Sequence, residues 1–451
     1  MSSLLVKEPL NPPHWVSCAD EVFEANAQFR AQQLEGSKSL IAQKIEDLRH
    51  YDVPAMDRVA AIIMWGRSGS FLLASYLDNH EDVIALPEGR AYSLYDFYER
   101  YRALPLRDKL IGYTTFDPDY IQFFKGDFAI SPTQYYAAVE AILEVYGNHP
   151  REFLESRRAF FLFVHVAYNL ALGRRPSGSQ PLIIYPQHVW DKTLARDLVE
   201  DFPRAKFVHT VRDPISSCDA LFHFHLDTLV ANHIFLPLSS LRFLVDKDRS
   251  LPGMESRTLA IRFEDMHSDP AGTMHDLADW LGLPYQDTLL ESTFNGIPYV
   301  MKRDGVAWSG RRVEQVKRLS RHISAKDRAL LFAFFYEDFA AWGYPYPNIV
   351  RFLLVRCMVF LSLILLPLKM ERIAARAIFK GKILPAMRRG DLARVIKSCT
   401  SLAFCRVRII RLLTLVFVRR SIFQTAVLQV RRHPQPPGRR DVAVEELQHT
   451  A

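Results

Sequence analysis

The stretch "IIMWGRSGSF", residues 62–71, decides the fold. An apolar run suited to a buried parallel strand ends at Met64, and an apolar, helix-like pattern begins after Ser70. Between them stands a turn containing Gly66, Arg67, Ser68, Gly69 and Ser70. A strand that enters a glycine-containing turn and opens a helix aims several backbone N–H groups, and the positive end of the helix dipole, at one point. Gly66 and Gly69 let the backbone approach an anion closely, while Arg67 adds a forked cation and the two serines add hydroxyls. The pattern is that of an anion cradle, with a tight turn and an exposed arginine as the alternative. It lacks the Gly-Lys-Ser/Thr ending of a nucleoside triphosphatase loop, and with it the usual Mg²⁺ ligand, which weighs against a kinase or ATPase.

Working outward, further short apolar runs read as strands at "RVAAIIM" (58–64), "DVIAL" (82–86), "KFVHTV" (206–211) and "TLAIRF" (258–263). Helical patterns separate them. One runs over 19–49 with a break near Gly36, and one follows the opening turn. A third follows Arg212-Asp213-Pro214. A fourth has Asp269 as N-cap and Gly282 near its end, and a fifth covers 324–344. Residues 91–178 read as aromatic and mostly helical, like a substrate-facing part. Strands alternating with helices predict an α/β fold around a mainly parallel sheet.

The chain has 451 residues, and its net charge of +7 hides an asymmetry. Residues 349–451 hold 20 Lys and Arg against 5 Asp and Glu, a net of +15, leaving −8 for residues 1–348. The two parts read as functionally distinct. Five widely spaced cysteines with no C-x-x-C pair suggest reduced thiols in a cytosolic compartment. "MSSLLVKEPLNPPHW" shows no basic segment followed by an apolar core, so no secretory signal or N-terminal anchor is expected.

A second cation, Arg212, stands at the end of the strand 206–211. In open α/β sheets ligands sit beyond such strand ends, so Arg67 and Arg212 together suggest a ligand with two anionic groups. The alternative is that Arg212 pairs with Asp213 across the turn.

"GRSGSFLLASYLDNHEDVIALPE" resembles the 5′-phosphosulfate loop of sulfotransferases that use 3′-phosphoadenylyl sulfate (PAPS), and "FPRAKFVHTVRDP" resembles their 3′-phosphate motif. "LAIRFEDMHSDPAGTMHDLADWLGLPY" is similar to the family's Tyr-Glu-Asp-Leu strand, helix and Leu-Gly-Leu-Pro turn, and "KRDGVAWSG" to its Arg-Lys-Gly loop over the nucleotide. These motifs occur in order between about residues 58 and 345. The resemblance implies a three-layer, P-loop-like fold with a central sheet. It also implies transfer of a sulfuryl group from PAPS to an acceptor hydroxyl or amine, with no metal required.

It further implies that Arg67, Ser68, Gly69, Ser70 and Phe71 hold the 5′-phosphosulfate. Arg212 would take the 3′-phosphate, and Lys302, Arg303 and Gly305 would belong to the closing loop. Glu88 stands where related enzymes carry a catalytic glutamate, with Arg90 placed to orient the sulfuryl group. His188 is the rival base, and a solvated loop carboxylate is the plain alternative for Glu88. His80, His165 and His209 read as structural. The chain departs from the family at Phe71, at Ala220, at Ile184-Tyr185-Pro186 and at Asp304.

Four segments are expected: an N-terminal helical segment (1–50), a sulfotransferase domain (51–348), a basic amphipathic helical region on the membrane (349–432) and a disordered tail (433–451). Arg351 and Arg356 interrupt "IVRFLLVRCMVFLSLILLPLKM" (349–370), which argues against a span of ~20 apolar residues. "LAFCRVRIIRLLTLVFVRR" (402–420) interleaves arginines with apolar residues, the pattern of a helix lying in an anionic interface. A packed helical subdomain is the alternative. No nucleic-acid recognition motif accompanies the charge. The expected protein is therefore cytoplasmic and peripheral or monotopic on a membrane, with a small-molecule, lipid or saccharide acceptor. A catalytically weak relative serving as a membrane scaffold is the competing function.

Overall fold

The computed structural model describes residues 38–64, 68–87, 94–116, 123–188, 192–228, 237–238, 241, 254–303, 306–311 and 322–422. A five-stranded sheet runs in the order β2-β3-β1-β4-β5, formed by β1 (Val59–Met64), β2 (Val83–Ala85), β3 (Leu182–His188), β4 (Lys206–Val211) and β5 (Thr258–Arg262). β2 runs parallel to β3, and β4 parallel to β5 with Phe207 opposite Thr258 and Val211 opposite Arg262. Val59–Ile63 and Phe207–Val211 are all buried, the near-continuous apolar pattern that a sheet covered on both faces requires. The architecture is α/β, a mainly parallel sheet flanked by helices with a helical C-terminal region.

The chain divides into two compact units, one of residues 1–62, 71–206 and 283–310, the other of 63–70, 207–282 and 311–451. In the first, the helix Arg157–Ala171 is buried from Ala159 to Ala171 and opens on Ser156, whose hydroxyl accepts from the Ala159 N–H at 3.1 Å. Its aromatic side meets Phe97 in a stacked contact and Tyr113 and Tyr185 edge-on. Asp78 is buried and ties three segments together, pairing with Arg174 and accepting from Thr293 Oγ1 and the Gly296 N–H, both at 3.1 Å.

The three histidines read as structural are buried. His80 donates from Nε2 to the Pro284 carbonyl at 2.8 Å, and burial lowers the His209 ring to about 3. Burial likewise lowers His165 to about 4, while its Nδ1–H donates to the Phe161 carbonyl at 2.8 Å. Between pH ~6.5 and ~4 the unfolded chain binds a proton that folded His165 refuses, so stability falls as pH drops through that window. The expected loss is about 3 kcal/mol. His165→Gln should remove His165's share of the slope in that part of a denaturation-versus-pH curve, leaving the share of His209.

In the second unit, Asp269 caps the helix Pro270–Leu281, accepting from the Gly272 N–H at 3.1 Å, and Gly282 ends it at φ 75°. The strand expected over 258–263 gives up Phe263 to the helix Phe263–Ser268. The single helix expected over 324–344 is instead two, Ala325–Phe334 and Tyr336–Ala341, broken at Phe335. Leu330, Leu331, Phe334, Phe335, Phe339 and Trp342 all enter one core. On a straight helix they would span an arc of roughly 180°, wider than one apolar stripe, and the break lets both halves face that core. Beyond it come the helices Leu353–Leu365, Lys369–Ile378 and Leu392–Ile422.

Candidate active site

The segment read as an anion cradle follows β1. Trp65, Gly66 and Arg67 lie outside the described residues, which resume at Ser68. The helix Ser70–Leu77 starts two residues later, so the strand–turn–helix succession expected from the sequence is present. Ser68 is buried and shares a 2.8 Å hydrogen bond with Thr210 Oγ1 on β4. Gly69 has φ +91°, and a Cβ there would lie 2.4 Å from Phe263 Cδ2 and 3.2 Å from Met266 Cε. The backbone therefore presses against a ring that no side chain at this position could clear. Phe71 sits in the first turn and is half-buried. Gly69→Ala should cost roughly 2–4 kcal/mol, read as a lower thermal midpoint.

Arg212 follows β4 directly. The neighbouring Asp213 caps the next helix, accepting from the Ser216 N–H at 2.7 Å. The Arg212 guanidinium lies 4.4 Å over the Phe263 ring. The ring that fills the space behind Gly69 is thus also the plate beneath Arg212. Burial pushes the guanidinium below its ordinary value, opposed first by the Glu264 carboxylate. Burial also raises the Glu264 carboxyl, opposed by the Tyr344 hydroxyl, Arg212 and the Asp213 N–H. Tyr344 donates to Glu264 at 2.5 Å and Asp213 N–H donates at 3.2 Å.

Phe263, Glu264 and Tyr344 carried no assigned role on sequence grounds. The Phe-Glu-Asp tripeptide after β5 was a signal for the first two, but Tyr344 comes 80 residues after Glu264 and is found only by folding. Glu88, Arg90, Asp304 and Gly305 lie outside the described residues, as do the side chains of His188, Lys302 and Arg303. His188 is the last residue of β3. Lys302 and Arg303 belong to a two-stranded ribbon, β8 (Val300–Arg303) against β9 (Val306–Ser309), antiparallel with Lys302 opposite Ala307. Of the departures, Ala220 is buried in the helix Pro214–Thr228, and Ile184 and Tyr185 are buried within β3.

Ser68 and Gly69 after β1 and Arg212 after β4 thus stand at adjacent strand ends of an α/β sheet. A model of the sulfotransferase family matches residues 61–287, half of the chain, and the chain belongs to that family. Among curated proteins, the omega-hydroxy-beta-dihydromenaquinone-9 sulfotransferases Stf3 of Mycobacterium bovis and Mycobacterium tuberculosis are each 29% identical over 171 residues, 34% of this chain and 39% of the relative. The chain thus spans about two fifths of these relatives' length. Among solved structures, the sulfotransferase domain of the Synechococcus PCC 7002 olefin synthase is 19% identical at a TM-score of 0.30, covering 54% of this chain and 80% of that one. The sulfotransferase STF9 of Mycobacterium avium is 13% identical at 0.31, covering 60% and 85%.

Proposed function

We propose that this protein transfers a sulfuryl group from PAPS to a hydroxyl or amine of an acceptor. The observation that carries the reading is the shared use of Phe263, which closes against Gly69 on one side and supports Arg212 on the other. Two anion-directed features, a loop backbone and a buried cation, are thereby built on one ring. That suits a donor with separate 5′ and 3′ anionic groups.

In this reading the N–H groups of Ser68, Gly69, Ser70 and Phe71, with Arg67, hold the 5′-phosphosulfate. Arg212 selects the 3′-phosphate, its guanidinium fixed by the ring below and Glu264 beside it. Lys302, Arg303 and Gly305 close over the nucleotide. PAPS supplies an activated sulfuryl group, and the protein's contribution is positioning and charge neutralisation. Glu88 takes the acceptor proton, and Arg90 orients the group being transferred. His188 is the second candidate for the base.

The mycobacterial relatives are named for a hydroxylated menaquinone, and a hydroxyl-bearing lipid, glycolipid or lipid-linked saccharide is the acceptor class proposed here. In the same reading the enzyme works on an anionic membrane surface at the cytoplasmic face, which the net positive charge of residues 349–422 supports. Incubation with sulfur-labelled PAPS and a panel of hydroxylated lipids should move label into the organic phase, with adenosine 3′,5′-bisphosphate released in equal amount. Label that stays in PAPS across lipid, saccharide and amine acceptors would argue against the reading.

A further inference from the structure

The helix Leu353–Leu365 is built inside out for a protein in water. Leu354, Met358 and Leu361 stand one turn apart on one face, and they are 73%, 61% and 59% exposed. On the opposite side Arg356 is only 5% exposed. Its Nε donates to the Ala333 carbonyl at 2.9 Å, and its guanidinium pairs with Glu337 at 2.8 Å. Phe360 also faces inward and stacks on Phe417 at 5.3 Å. The orientation is therefore pinned by a buried ion pair and an aromatic stack, and the apolar face is held outward. Ile349, Phe352, Leu353 and Leu366 continue the exposed apolar surface at the two ends of this helix.

What would cover such a face is constrained by length and charge. Thirteen residues of helix extend about 20 Å, short of the ~30 Å hydrocarbon layer. Among the described residues no helix is long and apolar enough to cross a membrane. Residues 349–422 carry sixteen Lys and Arg against two Asp and Glu, a net of +14. A second copy of this chain would bring the same positive charge to the contact, whereas an anionic bilayer surface is complementary to it. The helix pattern over 402–420 fits this role less well, because Cys405, Ile409, Leu413 and Val416 are spent in the core of the unit.

We infer that the face formed by Leu354, Met358 and Leu361 is the element that enters the headgroup boundary of an anionic bilayer, lying parallel to it. The inference depends on the membrane placement proposed above and assigns it to one helix face. Its test uses the full chain with vesicles of phosphatidylglycerol mixed with phosphatidylcholine, and with phosphatidylcholine alone, in a flotation assay. The unmodified chain should float with the mixed vesicles, less so at high salt. The combined substitution Leu354→Asp, Met358→Asp and Leu361→Asp should reduce that partitioning on the order of 100-fold with an unchanged thermal midpoint.

Met358→Trp supplies a second readout, an emission that shifts to the blue when the mixed vesicles are added. Undiminished flotation of the triple variant, or an unshifted tryptophan, overturns the assignment while leaving membrane placement standing. Failure of the unmodified chain to float overturns both. A dimer that the triple variant breaks, without vesicle capture, gives the face to a second copy and overturns the inference.

Discussion

Arg212→Ala is expected to weaken adenosine 3′,5′-bisphosphate binding by roughly 10- to 100-fold while AMP binding changes little. A charge-assisted hydrogen bond of this kind contributes about 1.5–3 kcal/mol. The guanidinium is held over Phe263 and is drawn toward Glu264, so its position is set before any ligand arrives. Arg212→Lys keeps the charge but loses the planar fit to the ring, and should fall between the two. Calorimetric titration of the three proteins with both nucleotides reads the ratio directly. Equal losses for bisphosphate and AMP would mean that Arg212 supports the site as a whole and does not select the 3′-phosphate.

Glu88→Ala should lower turnover by about 10²- to 10⁴-fold, the range of general-base assistance, with nucleotide affinity intact. The measurement is release of adenosine 3′,5′-bisphosphate from PAPS in the presence of an accepted hydroxyl compound. The parallel substitution His188→Ala discriminates the rival. If His188→Ala produces the larger fall and Glu88→Ala leaves turnover near that of the unmodified protein, the base is His188.

Much of this was legible in the chain because the decisive signals are local. β4 runs over Lys206–Val211 as the apolar run at 206–211 indicates, and the Asp269 cap and Gly282 terminus lie where capping chemistry puts them. The turn after β1 could be read as an anion cradle because glycine, serine and a following helix are adjacent in sequence. What failed to show were features set by tertiary packing. The break at Phe335 depends on how many side chains one core admits. The support of Arg212 joins Phe263, Glu264 and Tyr344, and the last is brought in by folding alone. The inverted helix at 353–365 was hidden for a similar reason: Arg356 looked like an interruption of an apolar run, whereas its partners at Ala333 and Glu337 make it the buried side.

Phe71, which departs from the hydroxyl residue common in related loops, stands in the first turn of the helix Ser70–Leu77. Its backbone N–H remains among the groups proposed to face the donor, so the departure removes one hydroxyl and leaves the cradle's backbone chemistry in place.

The most direct test of the central claim is one titration of the full chain with adenosine 3′,5′-bisphosphate, AMP and ATP with Mg²⁺. A PAPS-dependent sulfotransferase should bind the bisphosphate at least tenfold more tightly than either of the others, since only it carries a group for Arg212. Preference for ATP with Mg²⁺, or binding of none of the three, would contradict it. The first would indicate a kinase, and the second a sulfotransferase fold retained for binding alone.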